Sequence, residues 1–423
     1  MEKNTWNPLL RLFMEIKASY LQKFNTISYE PIKNSANGTC VNRWVTELDD
    51  PVFTGKLSGL RLWQYKKFII AHYTDFYALD EKGEKIDYKN MFSAYDGLYM
   101  ECRGIIIDII KEKLVNVPFR KFFNIDENED TSMKNVLERA KHAKIFEVTD
   151  KMDGSMISAS YYENEIVIGA SGCNHPDYSE EVRNAYAYVS AHPEYQTLIK
   201  DFEYKTCIFE SIFPKKDPHI VVYENPGLYL TGIRDNETGK EYTYEKVLKI
   251  ADEYKIPSTI KFNKTLDEIL NELDAKKAAE AEGFVLNIDG LKVKVKYNDY
   301  VKIHRATIEG GRMNSVIKAL ADGTFDDLYS KIPDAFKPQT LSYAEEITDL
   351  VKSLDNYAAS EYEKVKDLPI KEAMLAINKN VKKCFRGSVT AKYKNKPYNF
   401  LCSKIGHYIK YQELLDLKKK INS

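Results

Sequence analysis

The sequence predicts an α+β protein in which a strand-rich domain is followed by a mainly helical one. From about residue 40 to residue 305, short β-rich segments alternate with turns. After Arg305 the apolar residues recur at helical spacing instead. The chain of 423 residues is also long enough for two or three domains of about 150 residues each. We therefore expect one domain at residues 1–305 and a second at residues 306–423.

Six segments of the first region have the alternation or the β-branched content of strands. They are RLWQYKKFIIAHY, CRGIIIDI, EIVIGAS, LYLTGIRDNETGKEYTY, GFVLNI and LKVKVKY. The residues Asn-Glu-Thr-Gly in the fourth segment indicate a hairpin turn. Helices are expected at about residues 132–142, 179–200 and 264–281. This mixture is typical of an α+β domain.

Three segments beyond Arg305 predict the helices of the second domain. They are GGRMNSVIKALADG, YAEEITDLVKSLDNYAASEYEKVKD and PIKEAMLAINKNVKKCF. No internal repeat or low-complexity tract accompanies them. The second domain is therefore expected to be mainly helical.

Composition restricts the classes of function. The chain has 62 Lys and Arg residues against 63 Asp and Glu residues, so any basic surface must be local. Six cysteines without CxxC spacing favour reduced thiols over disulfides. No uncharged apolar run reaches the ~20 residues needed to cross a bilayer, and the first residues lack a signal-peptide core. We expect a cytoplasmic monomer without a membrane partner, in the host cytoplasm if the source is viral.

The stretch FEVTDKMDGSMIS, residues 146–158, places a lysine at the end of a strand-like run. Such a lysine usually pairs with a carboxylate or takes part in chemistry. Asp153 follows two residues later, on the same face if the strand continues, and Gly154 allows a close approach of backbone to ligand. By themselves these residues favour the simpler interpretation, in which Lys151 is solvated and Asp-Gly forms a turn.

Downstream segments strengthen the chemical interpretation. Glu210 lies in IFES, Glu282 in AEGFVL, and Lys294 and Lys296 in VKVKYNDY. Glutamates can hold ribose hydroxyls or a metal, and two lysines spaced by one residue on a strand face the same phosphates. Each segment alone has a structural alternative, such as an amphipathic strand with solvated lysines. Their order is that of covalent nucleotidyltransferases, which include ligases and RNA capping enzymes.

Within that superfamily the chain resembles ATP-dependent RNA ligases of the RNA ligase 1 type, which repair tRNA during bacteriophage infection. The most specific match is MECRGIIIDIIKEKLVNVPFRKFFNIDEN. The resemblance runs from about residue 60 to residue 330. It implies that Tyr65 and Arg103 contact the nucleotide, that Lys121 contacts its phosphates and that Phe123 supports the pocket. One departure is GASGCN, where Ser171 stands in place of a lysine that relatives often carry.

The resemblance also implies a fold and a mechanism. The fold is a nucleotidyltransferase core, ATP-grasp-like, of antiparallel sheets with flanking helices. Lys151 attacks the α-phosphate of ATP and keeps AMP, which passes to an RNA 5′-phosphate before a 3′-hydroxyl closes the bond. Lys121, Arg103, Lys294 and Lys296 supply positive charge, Glu210 fixes the ribose, and Glu282 binds metal or poises the lysine.

A magnesium ligand is also implied by the resemblance. The segment ALADGTFDDLYSKI is similar to one whose aspartate holds Mg²⁺, which indicates Asp326. The alternative is an ordinary aspartate at a helix start. Both interpretations stay open at this point.

The C-terminal segment from Lys379 to Lys420 has the composition of an RNA-binding surface. It contains twelve basic residues and two acidic ones. Cations neutralise phosphates, and aromatic rings can stack on unpaired bases. We expect it to bind RNA with 5′-phosphate and 3′-hydroxyl ends, with cleaved tRNA as the candidate. By itself such a run is more often a solvated helix face, and some of the aromatic residues must belong to the core. The interleaved aromatic residues are Phe385, Tyr393, Tyr398, Phe400, Tyr408 and Tyr411.

Three other functions are less consistent with the sequence. An mRNA capping guanylyltransferase shares the lysine nucleophile but uses GTP, and the Lys-Phe-Phe-Asn segment argues against it. A non-catalytic RNA-binding protein is disfavoured by the intact set of charged positions. A P-loop ATPase is disfavoured because Gly-x-x-x-x-Gly-Lys-Ser/Thr is absent from the sequence.

Overall fold

The computed structural model describes residues 59–65, 67–73, 77–80, 82–108, 110–177, 179–404 and 407–422. The chain divides into two compact units, and the first ends at Asn298 while the second begins at Asp299. The predicted division at residue 306 falls inside the helix Asn298–Gly310, which begins at the observed division. The functions assigned to the two domains stay predictions.

The first unit is built on antiparallel sheets. Its main strands form one sheet in the order β1-β2-β5-β6, a second in the order β10-β9-β11-β12 and a third in the order β13-β8-β14-β15-β7. Among the described strands only the pair β15 and β7 is parallel. The strands are β1 (Leu60–Tyr65), β2 (Phe68–Tyr73), β3 (Tyr77–Leu79), β4 (Lys85–Asp87), β5 (Arg103–Asp108), β6 (Lys113–Asn116), β7 (Phe123–Asn124), β8 (Phe146–Lys151), β9 (Ser155–Tyr162), β10 (Glu165–Ala170), β11 (Lys205–Ile212), β12 (Gly227–Asp235), β13 (Lys261–Phe262), β14 (Gly283–Ile288) and β15 (Leu291–Lys296).

Seven helices flank these sheets in the described part of the first unit. They are α1 (Tyr88–Met91), α2 (Leu98–Glu101), α3 (Met133–His142), α4 (Glu180–Ala191), α5 (Pro193–Asp201), α6 (Tyr244–Glu253) and α7 (Leu266–Asn271). Local sequence explains several of their starts. The Ser179 hydroxyl accepts a hydrogen bond from the Val182 amide before α4, and Thr265 with Glu268 forms a capping box at α7.

The largest core of the first unit lies between the second sheet and helices α4, α5 and α6. Ile157, Phe209 and Leu230 from the sheet are fully buried there, together with Leu198 and Val247 from the helices. Alternate residues of a strand point to opposite faces, so the strands that bury these residues present their other residues to the remaining sheets. This core gives the candidate site a rigid support.

The predicted α+β class and the six predicted strand segments are confirmed. The hairpin turn is also present, because Arg234 and Glu241 form an antiparallel bridge across it. The helix predicted at residues 264–281 is wrong in its extent, since α7 ends at Asn271. The Leu273 carbonyl accepts from the Asn298 amide, and the Ala279 carbonyl accepts from the Val222 amide. These two carbonyls therefore accept hydrogen bonds from distant parts of the chain instead of from a continued helix.

The second unit is mainly helical, as predicted. Val316, Ile347, Leu354, Ile377 and Leu414 are among its fully buried core residues. Among the described residues, no helix of the chain is long and apolar enough to cross a membrane. The elements of the second unit are α8 (Asn298–Gly310), α9 (Met313–Ala321), α10 (Phe325–Ser330), α11 (Lys337–Glu363), α12 (Ile370–Asn380), α13 (Arg386–Tyr393), β16 (Cys402–Lys404), β17 (His407–Tyr408) and α14 (Tyr411–Asn422).

The core of the second unit includes two of the aromatic residues interleaved in the basic C-terminal segment. Phe385 is fully buried and Phe400 is only 6% exposed, so these two rings are among the aromatic residues that were expected to belong to the core. Three tyrosine hydroxyls of the set bind elsewhere in the unit, and that of Tyr408 donates to Asp322. Tyr398 is 43% exposed and keeps a surface that a base could contact.

Candidate active site

One face of the third sheet carries three rows of side chains that line a pocket. Lys151 on β8 lies in register with Gly283 on β14, which in turn lies opposite Lys296 on β15. The second row holds Thr149, Val285 and Lys294, and the third holds Glu147, Asn287 and Lys292. Because alternate strand residues share a face, all nine positions are on the same side of the sheet.

The first row is organised by a buried glutamate. Glu282 is 3% exposed, and its Oε2 accepts a hydrogen bond of 2.7 Å from Lys151 Nζ. Its Oε1 forms an ion pair of 2.8 Å with Lys296 Nζ. The expected nucleophile is therefore charge-paired rather than isolated, and a proton acceptor lies in direct contact with the amine.

The backbone next to Glu282 requires glycine. Gly283 has φ of +152°, and a Cβ there would lie 2.2 Å from the Val295 carbonyl oxygen. Backbone atoms of a sheet cannot yield by such a distance without disturbing the ladder. The Glu-Gly pair of the sequence is thus explained, since glycine lets β14 approach β15 closely where the carboxylate bridges the two lysines.

The facing wall of the pocket brings a second set of charges toward the first row. Arg103 on β5, Glu210 on β11 and the ring of Phe122 line it. The centroid of the Phe122 ring is 5.6 Å from Arg103 Cζ and 4.6 Å from Lys294 Nζ. Aromatic faces attract cations, so Phe122 helps hold the Arg103 guanidinium at the pocket.

The pocket shifts the pKa of two of its charged groups. Burial, followed by the positive charge of Arg103 and then of Lys151, lowers the pKa of Lys294 to about 6. Burial raises the pKa of Glu210 to about 7, opposed by the charge of Lys151. The free protein thus places too many cations together for all of them to remain charged. Perturbed groups of this kind concentrate at functional sites.

The residues after Lys151 do not continue the strand, because β8 ends at Lys151. The expected alternation therefore does not reach Asp153. The Asp153 carboxylate accepts hydrogen bonds from the amides of Ile220 and Val221, at 2.8 and 3.0 Å. Asp153 thereby anchors the segment after β11 beside the lysine, and its contact with the nucleotide stays a prediction.

Gly154 allows the start of β9 to lie against β11. A Cβ there would meet Ile212 Cδ1 at 2.5 Å, the Ser211 carbonyl oxygen at 2.7 Å and Glu210 Cγ at 2.8 Å. Its amide donates a hydrogen bond of 3.1 Å to Glu210 Oε1. Gly154 therefore positions the Glu210 carboxylate, and it lines the pocket as expected.

Other expected residues lie elsewhere. Lys121 Nζ is 5.3 Å from each ring centroid of Tyr73, Phe92 and Phe123. Phe123 is 7% exposed and belongs to that core, whereas Phe119 and Phe122 line the pocket. Its support of the pocket stays a prediction.

Tyr65 and Asp326 complete the set of expected site residues. The strand β1 ends at Tyr65, whose side chain lies outside the part of the chain that the structure describes. Asp326 is exposed in the first turn of α10, in the second unit. Its role as a magnesium ligand stays a prediction.

Four charged residues of the pocket were missed by the sequence analysis: Glu147, Asp150, Glu241 and Lys292. Lys292 Nζ forms an ion pair with Glu241 and lies 3.3 Å from the ring centroid of Phe119. The strand pattern LKVKVK does place Lys292 on the face of Lys294. Glu241 follows the hairpin turn. No local sequence pattern indicates that it belongs to the pocket, because its partner Lys292 is 51 residues away in the sequence.

Buried polar contacts fasten the segment that carries Phe119 to β12. Arg234 is 2% exposed, and its Nη1 donates a hydrogen bond of 2.7 Å to the Pro118 carbonyl. The same nitrogen is 2.9 Å from Glu101 Oε2 in an ion pair. A Cβ at Gly232 would lie 2.2 Å from Phe119 Cζ, so the ring packs directly on the β12 backbone.

The segment that lines the pocket is similar to a known family. Residues 101–301 match the RNA ligase family. The matched segment contains Arg103, Lys151, Glu210, Glu282 and Lys296, so the bridge and the facing wall lie inside the ligase segment. The predicted resemblance to RNA ligases is confirmed.

Two curated relatives are similar over different lengths. A "Putative bifunctional polynucleotide kinase/RNA ligase" of Autographa californica nuclear polyhedrosis virus is 26% identical over 254 residues, which are 55% of this chain and 35% of that protein. A "Putative RNA ligase" of Thermovibrio ammonificans is 26% identical over 342 residues, which are 77% of this chain and 84% of that protein. The chain therefore spans about a third of the length of the viral relative.

Solved structures of RNA ligases overlap part of this chain. A Naegleria gruberi RNA ligase with PPi has a TM-score of 0.34 and 19% identity, and covers 40% of this chain and 55% of its own. An archaeal ATP-dependent RNA ligase has a TM-score of 0.40 and 13% identity, and covers 69% of this chain and 76% of its own. A variant of the Naegleria protein was solved with ATP and Mn.

Proposed function

We propose that the chain is an ATP-dependent RNA ligase that acts through a lysyl-AMP intermediate. The observation that carries the proposal is the bridge from Lys151 through Glu282 to Lys296, at the end of a pocket that Arg103 and Lys294 line. The match of residues 101–301 to the RNA ligase family supports it.

In the first step Lys151 Nζ attacks the α-phosphorus of ATP. The amine gives up a proton, for which Glu282 is the acceptor in contact, and a nitrogen–phosphorus bond forms. The bond from the α-phosphorus to the bridging oxygen breaks, and pyrophosphate leaves with the electron pair. Lys296 and Arg103 balance the charge that develops, so catalysis depends mainly on alignment and electrostatics.

The following steps transfer AMP to an RNA end and release it. An oxygen of an RNA 5′-phosphate attacks the phosphorus held on Lys151, and the amine takes back a proton as the nitrogen–phosphorus bond breaks. The 3′-hydroxyl of a second end then attacks the activated 5′-phosphate, and AMP leaves. The positive charge around Lys151 suits a site that must hold phosphates through all three steps.

We propose that the divalent metal is Mg²⁺. The carboxylates of the pocket could hold it only together with the phosphates of a bound nucleotide. Among the described residues, no group of three or more His, Cys, Asp and Glu side chains could hold an ion by itself. Mg²⁺ is commonly held by one or two carboxylates with substrate phosphates, and Glu210 is the pocket carboxylate next to Lys151. The ion, when bound, neutralises phosphate charge.

The magnesium role of Asp326 can be tested separately. If Asp326 helps hold the ion, Asp326→Ala should raise the magnesium concentration required for RNA joining. Asp327→Ala is the matched control, because Asp327 is an exposed aspartate in the same helical turn. Equal magnesium titrations for the two variants would remove Asp326 from the site.

RNA with 5′-phosphate and 3′-hydroxyl ends, including cleaved tRNA, is the proposed substrate, and the second unit is proposed to bind it. Lys394 and Lys396 are exposed in the segment that leads from the end of α13 to Tyr398. Exposed cations beside an exposed ring suit an unpaired RNA segment. Deleting residues 379–423 would not test this surface, because the segment supplies core residues such as Phe385.

Point variants test the RNA surface without removing the core. Lys394→Gln combined with Lys396→Gln should weaken RNA joining and leave self-adenylylation unchanged. Lys352→Gln is the control, an exposed lysine on α11 outside the segment. Joining that is unaffected by the double variant would contradict the proposed surface.

The decisive test of the proposed function is covalent labelling. Protein mixed with α-labelled ATP and Mg²⁺ should retain label after denaturation, whereas Lys151→Ala should retain none. Lys144→Ala, an exposed lysine before the same strand, should label like the wild type. A labelled Lys151→Ala protein would refute the assignment. Parallel labelling with α-labelled GTP separates a ligase from a capping guanylyltransferase.

A further inference from the structure

The third row of the pocket is chemically different from the other two. Lys292 is paired with Glu241, and Glu147 in the same row accepts hydrogen bonds from the Tyr244 amide and Asn287 Nδ2. Carboxylates therefore balance or exceed the cation there. The first two rows hold Lys151, Lys294 and Lys296, which outnumber the single carboxylate of Glu282 beside them.

The spacing of the rows places the third row away from the reactive amine. Each row is two strand residues from the next, so Lys296 and Lys292 are about 13 Å apart along β15 at about 3.3 Å per residue. A nucleotide whose α-phosphorus meets Lys151 must extend its ribose and base along the pocket. The pocket continues past Lys294 to Lys292 and Glu241.

We propose that Lys292 and Glu241 read the base of the nucleotide and select adenine. This inference rests on the proposed nucleotide site and goes beyond it, because it assigns base recognition to a side-chain pair. An ammonium beside a carboxylate offers a donor next to an acceptor. Adenine offers the complement, an N6 amino donor next to a ring-nitrogen acceptor. Guanine has two acceptors, O6 and N7, at the corresponding major-groove edge.

The pair keeps enough hydrogen-bonding capacity for a ligand. A lysine ammonium has three donors and a carboxylate accepts at about four positions, so their mutual contact leaves both with free capacity. Lys292 is 16% exposed and Glu241 is 28% exposed at the side chain, and both line the pocket. A phosphate is a poor occupant of this row, since it would meet two carboxylates.

Contacts with Phe119 and with β12 hold Lys292 and Glu241 in place. Phe119 packs on the β12 backbone at Gly232 and presents its face to the Lys292 ammonium. Glu241 is joined to β12 by its bridge to Arg234. The pair is thus a fixed feature of the wall, which is what discrimination between two bases of similar size requires.

The test measures nucleotide binding to the full chain by competition with labelled ATP. Wild-type protein should bind ATP more tightly than GTP. Purine riboside triphosphate lacks the amino group, and its affinity should be lower than that of ATP by a factor of about ten or more. Glu241→Gln and Lys292→Met should each reduce the ATP preference over GTP by about tenfold. The controls are Glu237→Gln and Lys240→Met, exposed residues of the same hairpin, which should keep the wild-type preference.

The outcomes separate this inference from the proposed function. Selective binding without covalent labelling supports the base-reading pair and refutes the ligase chemistry. Labelling with unchanged ATP preference in both variants refutes the pair and leaves the ligase chemistry intact. If a variant fails to fold, the analogue series on wild-type protein still decides, since equal binding of ATP and purine riboside triphosphate would overturn the inference. Absence of any nucleotide binding would overturn both.

Discussion

The Glu282 carboxylate lies 2.7 Å from the Lys151 amine, across the paired strands β14 and β8. A strand neighbour thus supplies the nucleophile with a proton acceptor before any ligand binds. Glu282→Gln should slow self-adenylylation by ~10²- to 10⁴-fold, the usual contribution of a positioned acid or base. The measurement is single-turnover incorporation of label from α-labelled ATP.

Glu280→Gln is the matched control for this variant. Glu280 is 53% exposed, two residues before Glu282, and pairs only with the exposed Lys276 among the contacts described. It should label at the wild-type rate. A Glu282→Gln protein that labels as fast as this control would show that the carboxylate has no part in the first step.

Proton uptake should accompany ATP binding. Burial, together with nearby cations, lowers the pKa of Lys294 to about 6, so most of this amine is neutral in the free protein at neutral pH. A bound triphosphate favours the charged form and raises that pKa. ATP affinity should therefore fall as pH rises above about 6, because each binding event must then take up a proton.

Calorimetry in buffers of different ionisation enthalpy measures that uptake. Lys294→Arg is the informative variant, because a guanidinium stays charged at all working pH values. Uptake should decrease in this variant, and any remainder would belong to groups such as Glu210. Undiminished uptake in Lys294→Arg would contradict the assignment to Lys294.

Gly154→Ala should reduce self-adenylylation by about a hundredfold, the cost of a misplacement of about 1 Å at a catalytic site. The new Cβ would meet Glu210 Cγ and the Ser211 carbonyl at less than the normal contact distance. Gly172→Ala is the control, since a Cβ there has nothing within 4 Å. Equal labelling rates for both variants would mean that β9 and β11 can separate freely.

Arg234→Met should destabilise the protein far more than Arg120→Met. Both arginines pair with Glu101, but the Arg234 side chain is 3% exposed whereas that of Arg120 is 49% exposed. Loss of one partner of a buried pair costs ~3–5 kcal/mol, whereas an exposed pair contributes ~1 kcal/mol or less. Urea unfolding measures the difference, and similar losses in both variants would show that burial of the pair has no effect.

The sequence predicted which lysines share a face of β15, because that signal is local. Alternation in LKVKVK fixes which face the lysines share, and the Glu-Gly pair marks a close strand approach. What alternation cannot show is the partner of each side chain. The bridge of Glu282 to Lys151 joins residues 131 apart, and only the three-dimensional pairing of β14 with β8 reveals it.

The errors have equally specific causes. Asp153 was placed by strand alternation, but β8 ends two residues earlier. Residues 272–281 have helical composition, yet backbone groups of Leu273 and Ala279 bind distant parts of the chain. In both cases tertiary contacts overrode a local preference. Phe385 and Phe400 stand among lysines in the sequence, and only packing shows which of the aromatic residues are the expected core rings.

The register of β15 against β14 has a consequence for how the protein can fail. Val293 and Val295 are fully buried between the three lysines of this strand. A slip of one residue would turn every lysine toward the interior and both valines outward. Heat or mutation that loosens this ladder should therefore abolish nucleotide binding, base choice and AMP transfer at one time, so inactivation is expected to be a single event rather than a series of partial losses.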